Sequence, residues 1–291
     1  GVRGAGCGEA GEAQGACRLP WLVRRFLLAL VPLVLVACTA APAGDQAPTT
    51  SSLPKGDLAV LAERIEQRRA ELGTATFHTE GFASDGQATE VRNVVDGTLR
   101  RDGDDVTGAM TMDVSTGGQP KKIALVVVRD GTYVQVEGAP MPEGKKWGFY
   151  PSASGGEVSA LLRGFGPSAE PGAELDYVQP RAALIVGRSS EQVDGVPVTR
   201  FDLVVDALKM AKVIEDQDIQ LQHTQLAEYG VKISATVWVD DTSAPVRAEY
   251  RFELDGKVVK QSTTRFSGWG EPVEIAVPAQ GEVVPADQLP Q

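Results

Sequence analysis

The apolar rhythm of the chain changes along its length, and each change marks a segment of different physical character. An apolar run from Phe26 to Val36 follows Arg24-Arg25 and closes on Leu35-Val36-Ala37-Cys38. It is about half of the ~20 residues needed to span a bilayer, and Pro32 interrupts it. A basic start, a short apolar stretch and a small residue before the cut are the form of a secretory signal. Thr39 to Lys55 is dominated by Ala, Pro, Thr and Ser, the composition of an extended tether. Leu58, Leu61, Ile65 and Leu72 then form one helical stripe, with Asp57 able to cap it and Gly73 ending it.

From Thr74 the period shortens to that of strands. Segments 74–83, 88–101, 106–115, 121–129 and 132–137 are rich in Val, Thr, Phe and Tyr. Asp85-Gly86, Asp102-Gly103, Gly117-Gly118 and Asp130-Gly131 separate them. Short strands joined by such dipeptides predict an antiparallel meander, with 145–150 a further extended segment. Val158, Leu161, Leu162 and Phe165 fall at i, i+3, i+4 and i+7, a helix that Gly166-Pro167 stops. A short helix or turn is expected near 180–186, a strand over 196–205, and a long helix over 207–229 that Asp218 interrupts. Strands over 232–239, 246–254 and 258–266 follow, then a Pro-rich tail after Trp269 expected to lie extended on the surface. The predicted class is α+β: one large curved antiparallel sheet, an open half-barrel, with helices covering its concave face.

Charge narrows the partners. The net charge is −11, and residues 1–37 contribute +2, so the chain from Cys38 onward carries about −13. So acidic a surface argues against nucleic acid, where Lys and Arg must neutralise phosphates. It also argues against a body lying flat on anionic lipid. Cys7 and Cys17 precede the signal, so the exported part holds Cys38 as its only cysteine. No disulfide framework remains, and stability must come from packing.

Several ordered segments resemble a known family. Leu35-Val36-Ala37-Cys38 resembles a bacterial lipobox, in which the cysteine is lipidated and becomes the first mature residue. Glu191-Gln192-Val193-Asp194-Gly195-Val196-Pro197-Val198-Thr199-Arg200-Phe201 resembles a hairpin of the actinobacterial LppX/LprG-type lipoproteins, which share the LolA/LolB lipoprotein-carrier fold. Trp238-Val239-Asp240 with Pro245-Val246-Arg247 is similar to that family's late hairpin. Phe266-Ser267-Gly268-Trp269-Gly270-Glu271-Pro272 is similar to its closing strand and tryptophan turn. The resemblance implies a half-barrel of about eleven strands with helices over its mouth. It also implies anchorage on the outer face of the cytoplasmic membrane and an apolar cavity for the acyl chains of lipids or lipoglycans.

A wall for acyl chains must be apolar, since each buried CH₂ is worth about 0.8 kcal/mol. Met110 with Met112, Val126 with Val128, and Val134 with Val136 each pair on one face of a strand. Leu161, Leu162 and Phe165 are candidates for closing the mouth. Ordinary core without a void is the plainer reading of each. Lys121-Lys122 and Lys145-Lys146 either meet lipid phosphates at a rim or are solvated hairpin residues, the second being favoured.

Catalysis finds little support. His78 and His223 are the only histidines, one within a strand and the other expected on the polar side of a helix, without metal-ligand spacing. No Gly-x-Ser-x-Gly elbow occurs. Asp102-Gly103-Asp104-Asp105 resembles the start of a calcium loop but lacks the later glycine and glutamate, so a hairpin turn is expected.

The expectation is therefore a non-enzymatic, exported, lipid-anchored protein. Residues 1–37 are signal peptide and upstream extension, 38–55 the lipidated Cys38 and flexible tether, and 56–291 a LolA-like lipid-binding domain. Its partners would be an acyl lipid or lipoglycan ligand, the cytoplasmic membrane through the anchor, and a transporter or acceptor protein. No cofactor, metal or nucleic acid is expected. The rival reading is an envelope sensor or protein-interaction module on the same fold.

Overall fold

The computed structural model describes residues 57–84, 90–103, 105–152 and 172–289. The helix α1 (Asp57–Leu72) opens this part, burying Leu58, Leu61 and Ile65. Six strands follow as hairpins: β1 (Thr74–Ser84), β2 (Glu90–Asp102), β3 (Asp105–Thr116), β4 (Gln119–Val128), β5 (Gly131–Val136) and β6 (Trp147–Pro151). Alternating burial along β1 and β3 shows a sheet covered on one face. A 3-10 turn, η1 (Ala173–Tyr177), precedes the hairpin of β7 (Ala183–Val193) and β8 (Val196–Val205). Two helices, α2 (Ala207–Ala211) and α3 (Gln217–Glu228), separate that hairpin from β9 (Lys232–Val239), β10 (Pro245–Leu254) and β11 (Lys257–Ser267). The short strand β12 (Val283–Pro285) closes the chain.

All twelve strands form one sheet, in the order β12-β6-β5-β4-β3-β2-β1-β11-β10-β9-β8-β7. The first six strands build outward from β1. The chain then passes to the far edge, enters as β7, and returns strand by strand until β11 pairs with the other side of β1. The ends β12 and β7 do not pair, so the sheet stays open. Every pairing is antiparallel except β12 with β6. Asp194-Gly195 and Asp255-Gly256 have positive φ at both residues, the backbone a two-residue hairpin needs and one that Asp and Gly tolerate.

One continuous apolar core lies on one side of the sheet, here the inner face. Phe77, Val95, Met112, Leu125, Leu203, Val237 and Phe252 enter it from the strands. Leu61, Leu175, Tyr177 and Met210 enter it from α1, η1 and α2. α1 lies against β7, and η1 lies across β9, β10 and β11. The expected α+β class, with a large curved antiparallel sheet and helical segments on one side, is what the structure has.

Four expectations fail in detail. Residues 183–193 form a full strand rather than part of a helix or turn, because Ala183 and Ile185 alternate into the core. The helix expected over 207–229 is two helices. Asp216, not Asp218, makes the break, its carboxylate capping α3 at the amides of Asp218 and Ile219. The tail does not merely lie on the surface: Val284 is 5% exposed and β12 extends the sheet. Lys145 and Lys146 help to hold it, their ammoniums binding the Gly281 carbonyl and the Glu282 carboxylate. His223 is buried at 3% exposure instead of facing solvent from α3. The helix expected around Leu161, Leu162 and Phe165, the turn at Asp85-Gly86 and everything before Asp57, Cys38 included, lie outside the described residues.

Candidate ligand-binding face

Strand register sorts the inner face into rows running across the sheet. In one row Phe266, Phe77, Gly97, Met110, Leu125, Val134 and Gly148 are successive cross-strand neighbours. The next holds Ala248, Thr264, Thr79, Val95, Met112, Ile123 and Val136. A third holds Tyr250, Ser262, Gly81, Asn93, Val114 and Lys121, and a fourth Phe252, Lys260, Ala83, Val91, Thr116 and Gln119. Across β2 to β5 the first two rows carry no polar side chain. The third and fourth bring in Asn93, Lys121, Thr116 and Gln119. The inner face thus passes from apolar to polar along the strand direction.

Four of the six wall candidates within the described residues belong to this face. Met110, Met112 and Val134 are 7%, 1% and 6% exposed, and Val136 is partly buried against the same core. Val126 and Val128 do not belong to it. The Gly117-Gly118 turn pairs Thr116 with Gln119, so even-numbered residues of β3 oppose odd-numbered residues of β4. Ile123 and Leu125 therefore share the methionine face, and Val126 and Val128 point to the outer one. Val126 is still 5% exposed there, beside Tyr133, whose ring lies 4.8 Å from that of Phe149. The two-residue turn was the sequence signal that would have placed Ile123 and Leu125 in the wall and removed the two valines.

Polar groups gather where β11 and β10 meet the helical segments. Glu174 of η1 is 1% exposed; its carboxylate accepts from Ser262 Oγ and, at 2.8 Å, from Thr264 Oγ1. Thr264 is in turn 2.6 Å from Thr79 Oγ1. Burial raises the Glu174 pKa above the ordinary carboxylate range, against the pull of those hydroxyls. Lys260 keeps part of its surface exposed, but its ammonium sits 5.5 Å from the Tyr250 ring centre and 5.1 Å from that of Phe252. Desolvation lowers its pKa to about 8, with the Glu174 charge acting the other way.

His223 is fixed by two contacts. Its Nδ1 lies 2.9 Å from the Ile219 carbonyl and so carries the proton. Its Nε2, 3.3 Å from Tyr177 Oη, then accepts from the phenol. Burial lowers its pKa. His78 is its opposite, an exposed outer-face residue 2.7 Å from Asp96 and 3.3 Å from Glu80. The Asp96 hydrogen bond raises its pKa. Among the described residues no group of three or more His, Cys, Asp or Glu is placed to hold a metal ion.

Two of the hollows lined by described residues lie away from the methionine wall. One, of about 410 Å³, lies between η1 and the α2–α3 connection, with Leu175, Val178, Met210, Val213 and Ile214 against Asp176, Glu215 and Asp216. The other, about 300 Å³, involves Glu80, Phe82, Arg92 and Gln261.

No protein-family model matches the chain, and no curated protein matches it. Among solved structures it is similar to LprF from Mycobacterium bovis, at 14% identity and TM-score 0.47, over 79% of this chain and 100% of that one. A DUF1329 family protein from Desulfovibrio piger is similar at 12% identity and TM-score 0.30, over 74% and 92%. A LolA superfamily protein from Nitrosomonas europaea is similar at 10% identity and TM-score 0.23, over 72% and 91%. These are likenesses of shape, at identities too low to carry a function across.

Proposed function

We propose that the chain is a non-enzymatic carrier of acyl lipids, exported and held at the outer face of the cytoplasmic membrane by a lipid on Cys38. The observation that carries this reading is the inner face of β2 to β5. Met110, Met112, Ile123, Leu125 and Val134 present two adjoining rows of apolar surface, and the next rows turn polar. Such a gradient suits an amphiphile whose chains lie along the apolar rows while its polar end stays at the other end of the sheet. Methionine suits a wall for alkyl chains because it adapts its shape. Two of the buried polar residues have structural roles: Glu174 docks η1 on β11, and His223 joins α3 to η1. Passive loading and release would leave transfer direction to a transporter or acceptor protein.

One observation favours a second reading, a protein-interaction module. Met110, Met112 and Val134 are all buried, as the side chains of a filled core are. Native mass spectrometry of the protein purified from an actinobacterial host, followed by lipid extraction, separates the two. A stoichiometric diacyl or triacyl species supports the carrier and identifies its cargo. A clean apo mass, unchanged after incubation with envelope lipids, rejects it in favour of the interaction module.

A further inference from the structure

Asn93 is a buried amide without a partner among the described residues. It is 1% exposed, and neither Nδ2 nor Oδ1 has a hydrogen-bond partner. An unpaired buried polar group pays its full desolvation without a compensating bond, a cost that leucine at this position would not incur. Its register places it on the inner face, in the third row, at the border between the apolar and polar parts of the wall. The neighbouring position on β1 is Gly81, which has no side chain, and beyond it Ser262 is already committed to Glu174.

A primary amide offers a donor and an acceptor side by side. A hydrocarbon satisfies neither, and an ester offers only acceptors, leaving Oδ1 unpaired. A protonated carboxylic acid or a carboxamide presents the complementary edge and meets both atoms through two antiparallel hydrogen bonds. A carboxylate, like an ester, offers only acceptors and leaves Oδ1 without a donor, so the complementary end group is neutral. An alkyl chain leading from Asn93 across the two apolar rows covers roughly 13 Å, two steps of two residues along the strands.

We propose that Asn93 is a specificity residue of the interior, receiving the polar end of an acyl ligand that carries a donor and an acceptor together, a neutral carboxyl or carboxamide. This rests on the carrier reading above. The test is displacement of a fluorescent acyl probe from the delipidated full-length chain by palmitic acid, palmitamide and methyl palmitate. The expected result is that palmitamide, with or without the acid, competes roughly tenfold more tightly than the ester. Asn93→Leu should erase that gap while keeping or raising the melting temperature. Advantage of both the amide and the acid assigns the site to either end group, and advantage of the amide alone assigns it to carboxamides. Equal competition by all three overturns the proposal and leaves Asn93 to an internal water. Advantage of the acid alone overturns it too, pointing to an ionic contact with an amine such as Lys260. Failure of all three to displace the probe, or of the probe to bind, rejects the carrier reading with it. If Asn93→Leu does not fold, the wild-type ranking and Asn93→Ala decide.

Discussion

Tyr177 donates its phenolic hydrogen to Nε2 of His223, 3.3 Å away, and this bond joins η1 to α3 above the aromatic surface of β10. It requires a neutral imidazole, since Nδ1 already gives its proton to the Ile219 carbonyl. Burial lowers the His223 pKa below its unfolded value of about 6.5. As pH falls below ~6.5 the unfolded chain takes up this proton first, so the contribution is complete above that pH and is lost in acid. His78 works in reverse: its raised pKa stabilises the fold below ~6.5 and ceases to do so as pH rises. Melting temperatures measured from pH 7.5 to 5 for wild type and His223→Gln cancel the shared His78 term. The wild type should lose stability relative to the variant on acidification; parallel curves would show that His223 does not titrate as its burial implies.

Glu174, Ser262 and Thr264 form a buried polar unit whose members depend on one another. Thr264→Val leaves one carboxylate oxygen without its donor and the buried Thr79 hydroxyl without its Thr264 partner, and should cost about 1–3 kcal/mol in denaturant unfolding. Replacing the whole unit with Thr79→Val, Glu174→Leu, Ser262→Ala and Thr264→Val should recover most of that loss, because the groups that pair with one another are removed together. A quadruple variant that is less stable than the single one would mean that the hydroxyl–carboxylate contacts are net stabilising.

Met112 and Val128 test which face is inner. Met112 is 1% exposed, so Met112→Arg buries an unpaired charge and should cost on the order of 4 kcal/mol, along with acyl-probe binding. Val128→Arg points outward and should cost under ~1 kcal/mol with probe binding unchanged. Loss of probe binding in a folded Val128→Arg protein would place the ligand on the wrong side of the sheet.

Gly97 is needed for close packing rather than for a turn. A Cβ there would lie 2.6 Å from Cζ of Phe77 and 2.6 Å from the Ala109 carbonyl oxygen. Gly97→Ala should therefore destabilise by about 1–3 kcal/mol, as overpacking does. A variant as stable as wild type would mean that Phe77 has room to move aside.

The strands of the meander, the turns at Asp194-Gly195 and Asp255-Gly256 and the helix of Leu58, Leu61 and Ile65 were legible because local rules set them. Strand alternation has a period of two, a two-residue turn needs residues that accept positive φ, and a helix stripe repeats every three to four. Within a strand the pairing of Met110 with Met112, or of Val126 with Val128, followed from the same rule. Helix breaks were less legible. The 207–229 pattern does not distinguish one kinked helix from two, and the capping carboxylate of Asp216 settled it.

What the sequence alone determined was the first helix and most of the strands, their order, the acidic charge and which residues of a strand share a face. Tertiary structure decided which face looks inward, because a shift of one residue in pairing turns every side chain over. It put Ile123 and Leu125 rather than Val126 and Val128 beside the methionines. It buried His223 against Tyr177 and recruited Val284 into an edge strand. It also set Asn93, an ordinary polar residue in a polar-looking strand, inside the core without a partner among the described residues. These outcomes depend on contacts between segments far apart in the chain, whose pairing is settled only when one common core is buried.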